Sequence, residues 1–294
     1  MRSRNGSFLA LSVLLVACGG GAADAPPPPA PPPPAAPPPP VIDTAPPAAS
    51  SDAPVASPAP KTPAHWSYVS GDDDPSHWGA LDPAFALCGN GAHQSPIDLP
   101  AKPAAGDPKA VTQGKDEPVP LHIVNNGHTV QVNDSAASSL TIDGTTYALQ
   151  QFHFHVPSEH TVAGKSFDGE IHFVHKSADG KLAVIGMFLK KGKANAALAP
   201  VFDHTPADKA DESTVDGVAI DLSKILPKSP RYDRYDGSLT VPPCTEGVTW
   251  LVVPPSVATL DVSEAQLGTL AKAMHAPSNR PLQTLHDRAV TDVK

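Results

Sequence analysis

No basic run and no interleaving of aromatic with basic side chains occurs in the 294-residue chain, where 21 Lys and Arg face 30 Asp and Glu, a formal net charge of −9. Those absences argue against nucleic acid as a partner, and the negative balance speaks for solubility. Long apolar runs are missing too. The stretch from Phe8 to Ala17 is too short to cross a bilayer as a stable helix, which takes about 20 residues. Cysteine is sparse: Cys18 lies near the N-terminus, and Cys88 and Cys244 stand far from it. Nothing after residue 64 marks a second domain, and the length that remains is ample for one core.

The amino-terminal part reads as targeting and spacing. Met1-Arg2-Ser3-Arg4 is basic and precedes the short apolar run, the layout of an export signal over residues 1–17. Leu15-Val16-Ala17-Cys18 resembles a bacterial lipoprotein box, in which the signal is cut before the cysteine and the thiol carries a lipid. Cys18 is then a lipidation site, with the chain in the periplasm or at the cell surface and tethered to a membrane. An ordinary signal peptide with a chance cysteine is the competing explanation. Residues 18–63 form a linker, dominated from residue 24 by proline and alanine, including Pro26 to Pro29, Pro31 to Pro34 and Pro37 to Pro40. No core can be built from such runs, which favour a disordered, semi-rigid polyproline II spacer of about 3 Å per residue. Residues 64–294 make the folded domain.

The chemistry is concentrated in two short segments. In Gln151-Phe152-His153-Phe154-His155 the alternation of a strand puts Gln151, His153 and His155 on one face and the two phenylalanines on the other. In Glu170-Ile171-His172-Phe173-Val174-His175 the same parity groups Glu170, His172 and Val174 and turns His175 away. Three neutral imidazoles without a fourth protein ligand are the pattern of a catalytic zinc site that keeps one position open. Gln151 and Glu170 sit where they can accept the other ring N–H of a ligand histidine. An isolated His-x-His is more often a packed or solvated pair, so the third histidine and its carboxylate neighbour carry the argument.

Further strands are expected over Val119 to Val124, Thr129 to Val132, Ser139 to Ile142, Thr146 to Phe154, Leu182 to Leu189 and Val248 to Val253, with turns at Asn126-Gly127, Asp143-Gly144 and Asp179-Gly180. Helical stretches are few: Asn195 to Phe202, Ser223 to Ile225, and Ser263 to Met274 with Ser263 as cap. The fold class is mainly β (α+β), a mostly antiparallel sheet with short peripheral helices; that the sheet is large, central and twisted is implied by the family that the motif order below resembles.

The order of His65-Trp66-Ser67-Tyr68, Gln94-Ser95-Pro96-Ile97-Asp98, Asn125-Asn126-Gly127-His128, Gln151 to His155, Pro157-Ser158-Glu159-His160, Glu170 to His175, Leu182 to Gly186, Gly237 to Pro243 and Arg280-Pro281 resembles that of an α-class carbonic anhydrase of the bacterial branch. The resemblance implies Zn2+ held by His153, His155 and His172, and reversible hydration of carbon dioxide to bicarbonate and a proton by a metal-bound hydroxide. It implies that Thr240 orients that hydroxide and passes its own hydrogen bond to Glu159. A carboxylate that stays ionised only accepts, which sets the polarity of that chain. His128 matches the proton shuttle, a role that suits an imidazole of pKa near 6.5 at the cleft mouth. Val174, Val184, Leu239, Val241, Val248 and Trp250 correspond to an apolar substrate pocket, with plain core packing as the rival explanation. His160 and His175 match structural histidines, and His65, His77, His93, His122, His204, His275 and His286 read as structural or exposed.

The resemblance also implies a disulfide between Cys88 and Cys244, which suits an oxidising compartment and would pin the segment carrying Thr240. Three departures stand out: Val241 where many members have threonine, Val156-Pro157 in place of Trp-Gly, and Ser278 where asparagine is usual. The oligomeric state, monomer or dimer, stays open. The other reading is a catalytically weak zinc-binding or surface recognition protein on the same fold; the full ligand set favours the enzyme.

Overall fold

A computed structural model describes residues 64–107, 110–114, 117–134, 138–228 and 231–294. The signal peptide, the linker and Cys18 lie outside the described residues. The strands in chain order are β1 (Asp98–Leu99), β2 (Ala104–Ala105), β3 (Val111–Gln113), β4 (Val119–Asn125), β5 (Val130–Asn133), β6 (Ser139–Ile142), β7 (Thr145–His155) and β8 (Thr161–Val162). They continue as β9 (Gly169–Ser177), β10 (Leu182–Lys191), β11 (Ala210–Ile220), β12 (Tyr232–Ser238), β13 (Glu246–Val252), β14 (Leu260–Val262) and β15 (Thr291–Val293). Among the described residues four short α-helices accompany them: α1 (Trp78–Leu81), α2 (Leu87–Asn90), α3 (Ala199–Asp203) and α4 (Glu264–Ala273). None is long and apolar enough to cross a membrane.

Thirteen strands make one sheet, whose main path runs β11-β4-β5-β7-β9-β10-β13-β12-β15-β2. Most neighbours are antiparallel, as expected, but β10 pairs in parallel with both β13 and β14, and β15 with β2. Every strand expected from the sequence forms. The additional ones, β11, β12, β14 and β15 among them, are polar or short and are held by their neighbours. β11 runs along the sheet edge, and its exposed Asp211, Glu212 and Asp216 put charge where a second sheet would otherwise pair.

Alternation divides the interior. Ile171, Phe173, Ala183, Ile185, Met187 and Leu251 join the larger core, while Val184, Phe188, Val248, Trp250 and Val252, one residue out of step, join a smaller cluster on the other face. In β7 the rule is broken once. Tyr147 and Leu149 are buried before a register shift between Leu149 and Gln151, and Phe152 and Phe154 are buried after it. This bulge moves the buried set from odd to even residues, so the odd-numbered His153 and His155 leave the large core for the opposite face.

Ser263 caps α4 as expected: its Oγ accepts from Gln266 N at 3.2 Å, and Gln266 Oε1 accepts from Ser263 N at 3.0 Å. The stretch expected to be helical from Asn195 becomes α3 only at Ala199, because Asn195 spends its Oδ1 on Leu198 N.

Candidate metal centre

The pairing of β7 with β9 sets His153 directly opposite His172 and His155 opposite Glu170. One nitrogen from each of His153, His155 and His172 lies within 4.8 Å of the others. The second nitrogens are committed. His153 Nδ1 lies 2.8 Å from Gln151 Oε1, and His155 Nδ1 lies 2.7 Å from the carbonyl oxygen of Ser278. Both partners only accept, so both rings carry a proton on Nδ1 and turn a bare Nε2 inward. His155 Nε2 is buried with no hydrogen-bond partner. His172 Nε2 lies 3.0 Å from Glu170 Oε1, in contact although short of a well-aligned hydrogen bond, which leaves Nδ1 as its free nitrogen.

Burial first, and then the facing rings of His155 and His172, hold the His153 imidazole well below its ordinary pKa; burial likewise lowers that of His155. Neutral rings are the form that binds a metal. Burial alone would raise the Glu170 carboxyl, but His160 and His172 outweigh it and keep it well below the usual range. Glu170 also gathers two backbone N–H groups, from Glu159 at 2.9 Å and His160 at 2.8 Å, and the His160 ring at 2.8 Å. Gly186 on β10 leaves room for it: a Cβ there would come within 2.9 Å of Glu170 Oε1.

Glu159 is buried beside the triad, with Oε2 at 3.5 Å from His155 Nε2 and 4.0 Å from His172 Nδ1. Its Oε1 accepts from the backbone N–H of Arg280 at 2.9 Å, while Oε2 has no partner. Thr240 is buried on the loop after β12, and its hydroxyl makes no hydrogen bond to Glu159 in this structure. The Cys88–Cys244 disulfide forms within that loop and ties it to α2.

His153 and His155 open into a cleft of about 120 Å3, bordered by Trp66, Tyr68, His128, Gln131 and Val241 among others. Of the six expected pocket residues, only Val241 borders it. Val184, Val248 and Trp250 are buried in the smaller apolar cluster, with Val174 and Leu239 packed against it. Trp250 donates through its indole N–H to Ser238 O at 3.0 Å and presents its ring 4.8 Å from that of His172. These side chains form the wall behind the third histidine.

His128 lies at the mouth, its ring stacked on Trp66 at 3.7 Å and 11°. Its pKa is not near 6.5. Burial, followed by repulsion from His65 and Lys209, lowers it to about 4. His160 and His175 are interior hydrogen-bonding residues: His160 bridges Glu170 to the Tyr235 hydroxyl at 2.6 Å, and His175 Nδ1 lies 2.9 Å from Phe173 O.

Sequence reasoning missed the part played by Arg280. This residue is 1% exposed, and its guanidinium donates to Gln94 Oε1, Ser95 O and Cys88 O while its backbone holds Glu159. The Arg280-Pro281 motif was a signal, without anything in it to say what the arginine grips. Ser278, expected to support His155 through its carbonyl, does so and also accepts from Val156 N through its hydroxyl at 3.0 Å.

The family model for eukaryotic-type carbonic anhydrase matches residues 73–294. A carbonic anhydrase from Pectobacterium atrosepticum is 44% identical over 77% of this chain and 90% of its own length. An α-carbonic anhydrase from Thermovibrio ammonificans, solved with the inhibitor sulfanilamide, superposes with a TM-score of 0.72 at 39% identity, over 79% of this chain and 99% of that one. A hyperthermostable carbonic anhydrase from a hydrothermal vent chimney gives 0.73 at 37% identity, over 78% and 100%.

Proposed function

The chain belongs to the eukaryotic-type carbonic anhydrase family, and from that membership we propose how its own residues hydrate carbon dioxide reversibly. It is an enzyme of this family, with CO2 and bicarbonate as its small-molecule substrates. The observation that carries the residue-level reading is the convergence of one nitrogen from each of three histidines, two of them on buried rings and one, His155 Nε2, with no partner among the described residues. Three imidazoles without a fourth ligating side chain among the described residues fit Zn2+. When bound, zinc supplies a Lewis acid and a water acidified to a pKa of about 7, a figure established for carbonic anhydrase and carried over to this chain.

Gln151, Ser278 and Glu170 hold the three rings in the tautomers that face inward. Glu159, anchored by Arg280 N–H, offers Oε2 as an acceptor only. A Thr240 hydroxyl that donates to it must accept from the reacting side, which fixes the orientation of whatever it receives. Val241 gives the cleft an apolar wall suited to an uncharged substrate. His128 is the group that takes the proton at the mouth.

The test is a stopped-flow hydration assay with zinc quantified on the same sample. His153→Ala should lose metal and activity together, and Thr240→Val should lower kcat/KM with zinc retained. A metal-free His153→Ala chain with full activity would overturn the reading. The amino-terminal sequence supports an exported lipoprotein anchored through Cys18, in the periplasm or at the cell surface. Cys18→Ser should move the chain from the membrane fraction to the soluble one; retention would refute the anchor.

A further inference from the structure

Beside the cleft, and sharing Trp66 with it, lies a larger groove of about 660 Å3. Leu81, Phe85, Pro242 and Pro243 line it with Trp66, and Asp82 is the single charged side chain in its wall. The floor is firmly packed. Trp66 and Leu81 rest on the cluster of Trp78, Phe85 and the Cys88–Cys244 disulfide, and Trp66 meets Trp78 and Tyr68 edge-on at 5.0 and 5.5 Å. Asp82 Oδ1 accepts from Ala84 N at 2.9 Å, which fixes the carboxylate, and it makes no ion pair among the described residues. Ala64, the first described residue, also lines the groove, so the preceding chain departs from it. That chain reads Ala59-Pro60-Lys61-Thr62-Pro63 and lies outside the described residues. Pro60 and Pro63 stand one full turn of polyproline II apart, so in that conformation they share an edge, about 9 Å from one to the other. Aromatic-lined grooves take such Pro-x-x-Pro segments because the helix is preformed and loses little entropy on docking. Lys61 is the only Lys or Arg between Arg4 and Lys102, and it faces a groove with one carboxylate.

We propose that Pro60-Lys61-Thr62-Pro63 docks in this groove as an intramolecular strap, with both prolines on its aromatic floor and Lys61 paired with Asp82. The tether favours this occupant over any free partner. Only Ala64 and His65 separate Pro63 from Trp66, so the segment is held at high effective concentration over its own site. Apolar contact supplies the affinity and the ion pair the register: Lys61 lies a third of a turn from the proline edge, on a stem long enough to reach a carboxylate in the wall. The strap joins two segments that border the cleft. Trp66 carries the stacked ring of His128 on the cleft side, and Pro242 and Pro243 follow Thr240 on its loop. Docking also fixes the point at which the linker leaves the domain, at the mouth of the cleft.

The experiment uses the full chain carrying Cys18→Ser. Trypsin cuts after lysine, so the Lys61–Thr62 bond reports on the strap, and its cleavage tracks the undocked population. It should be cut about tenfold or more slowly than in a free peptide of residues 55–70, each variant being compared with a peptide bearing the same change. Asp82→Asn keeps the acceptor for Ala84 N and should speed the cut by about two- to fivefold, the worth of an exposed ion pair. Pro60→Ala should speed it further. NMR gives a second reading: nuclear Overhauser contacts from the Pro60 and Pro63 rings to the Trp66 ring, weakened in Lys61→Glu and recovered in Lys61→Glu/Asp82→Lys. A bond cut as fast as in the peptide, absent contacts, or protection untouched by Pro60→Ala and Asp82→Asn together would overturn the strap. So would contacts that the charge swap fails to recover. Protection that grows with protein concentration, or contacts between labelled and unlabelled chains, would give the groove to a second copy. A free Ala-Pro-Lys-Thr-Pro peptide that shifts the Trp66 resonances at micromolar concentration would show the groove open to a partner; either result overturns the proposal.

Discussion

The inner end of the cleft and its mouth hold their histidines by opposite means. Two rings of the triad are tied through their second nitrogen by hydrogen bonds to an amide and a carbonyl, and the third lies in contact with a carboxylate. His128 at the mouth is held by its face, stacked on Trp66. Hydrogen bonds fix direction, which a metal ligand requires; stacking fixes position and leaves the ring nitrogens without a hydrogen-bond partner among the described residues, which a proton carrier requires. The scaffolds differ accordingly: the triad sits on paired strands with registered partners, whereas the mouth is built from an amino-terminal segment, a turn and a loop that meet over the disulfide.

If the two ends are independent, they should fail separately. Replacing Cys88 and Cys244 by serine removes a link across 156 residues and should cost about 5 kcal/mol of stability by chain entropy, read from urea unfolding. Zinc affinity of the folded fraction should not change, and a parallel loss of zinc would show the mouth propping up the triad. Glu170→Gln tests the other end: zinc affinity, measured by competition with a chelator, should fall by about 10- to 100-fold with the mouth intact. A change in stability alone would reduce Glu170 to a packing residue.

The smallest effect should come from a position in neither region. Asp233 on β12 is buried opposite Asp292 of β15, and burial, then Asp292, push its carboxyl up to about 6, against the pull of Arg231. A folded-state pKa above the unfolded value of about 3.9 makes the group costly as pH rises through that window and harmless below it. Asp233→Asn should therefore stabilise the protein at pH 7 by about 1 kcal/mol after solvent screening, and by nothing at pH 4. Thermal unfolding at the two values checks the sign.

The strand-borne half of this molecule was legible in the sequence because alternation is local: the parity of Gln151 to His155 and of Glu170 to His175 names the inward side chains without any knowledge of their neighbours. The loop-borne half was not. Nothing near Arg280 tells that its guanidinium reaches Gln94, Ser95 and Cys88, contacts made by residues nearly two hundred positions away. The extent of the pocket is set by a related non-local fact. Val184, Val248 and Trp250 share a face with the ligands, but which of them touches the cleft depends on how far the wall stands behind His172. The lowered pKa of His128 was equally hidden, since it comes from Trp66, His65 and Lys209 gathering around the ring, and the sequence shows only a histidine after Asn-Gly. β11 and β12 escaped notice because they are polar strands kept in place by pairing.

The irregularity at Gln150 has an implication for how such a chain can change. Because it shifts phase by one, removing that single residue would turn Phe152 and Phe154 toward water and drive the imidazoles into oil, with every amino acid of the motif still present and in order. The metal site is thus written as a timing relation along the chain as much as a set of residues, and length upstream of it is as constrained as chemistry within it.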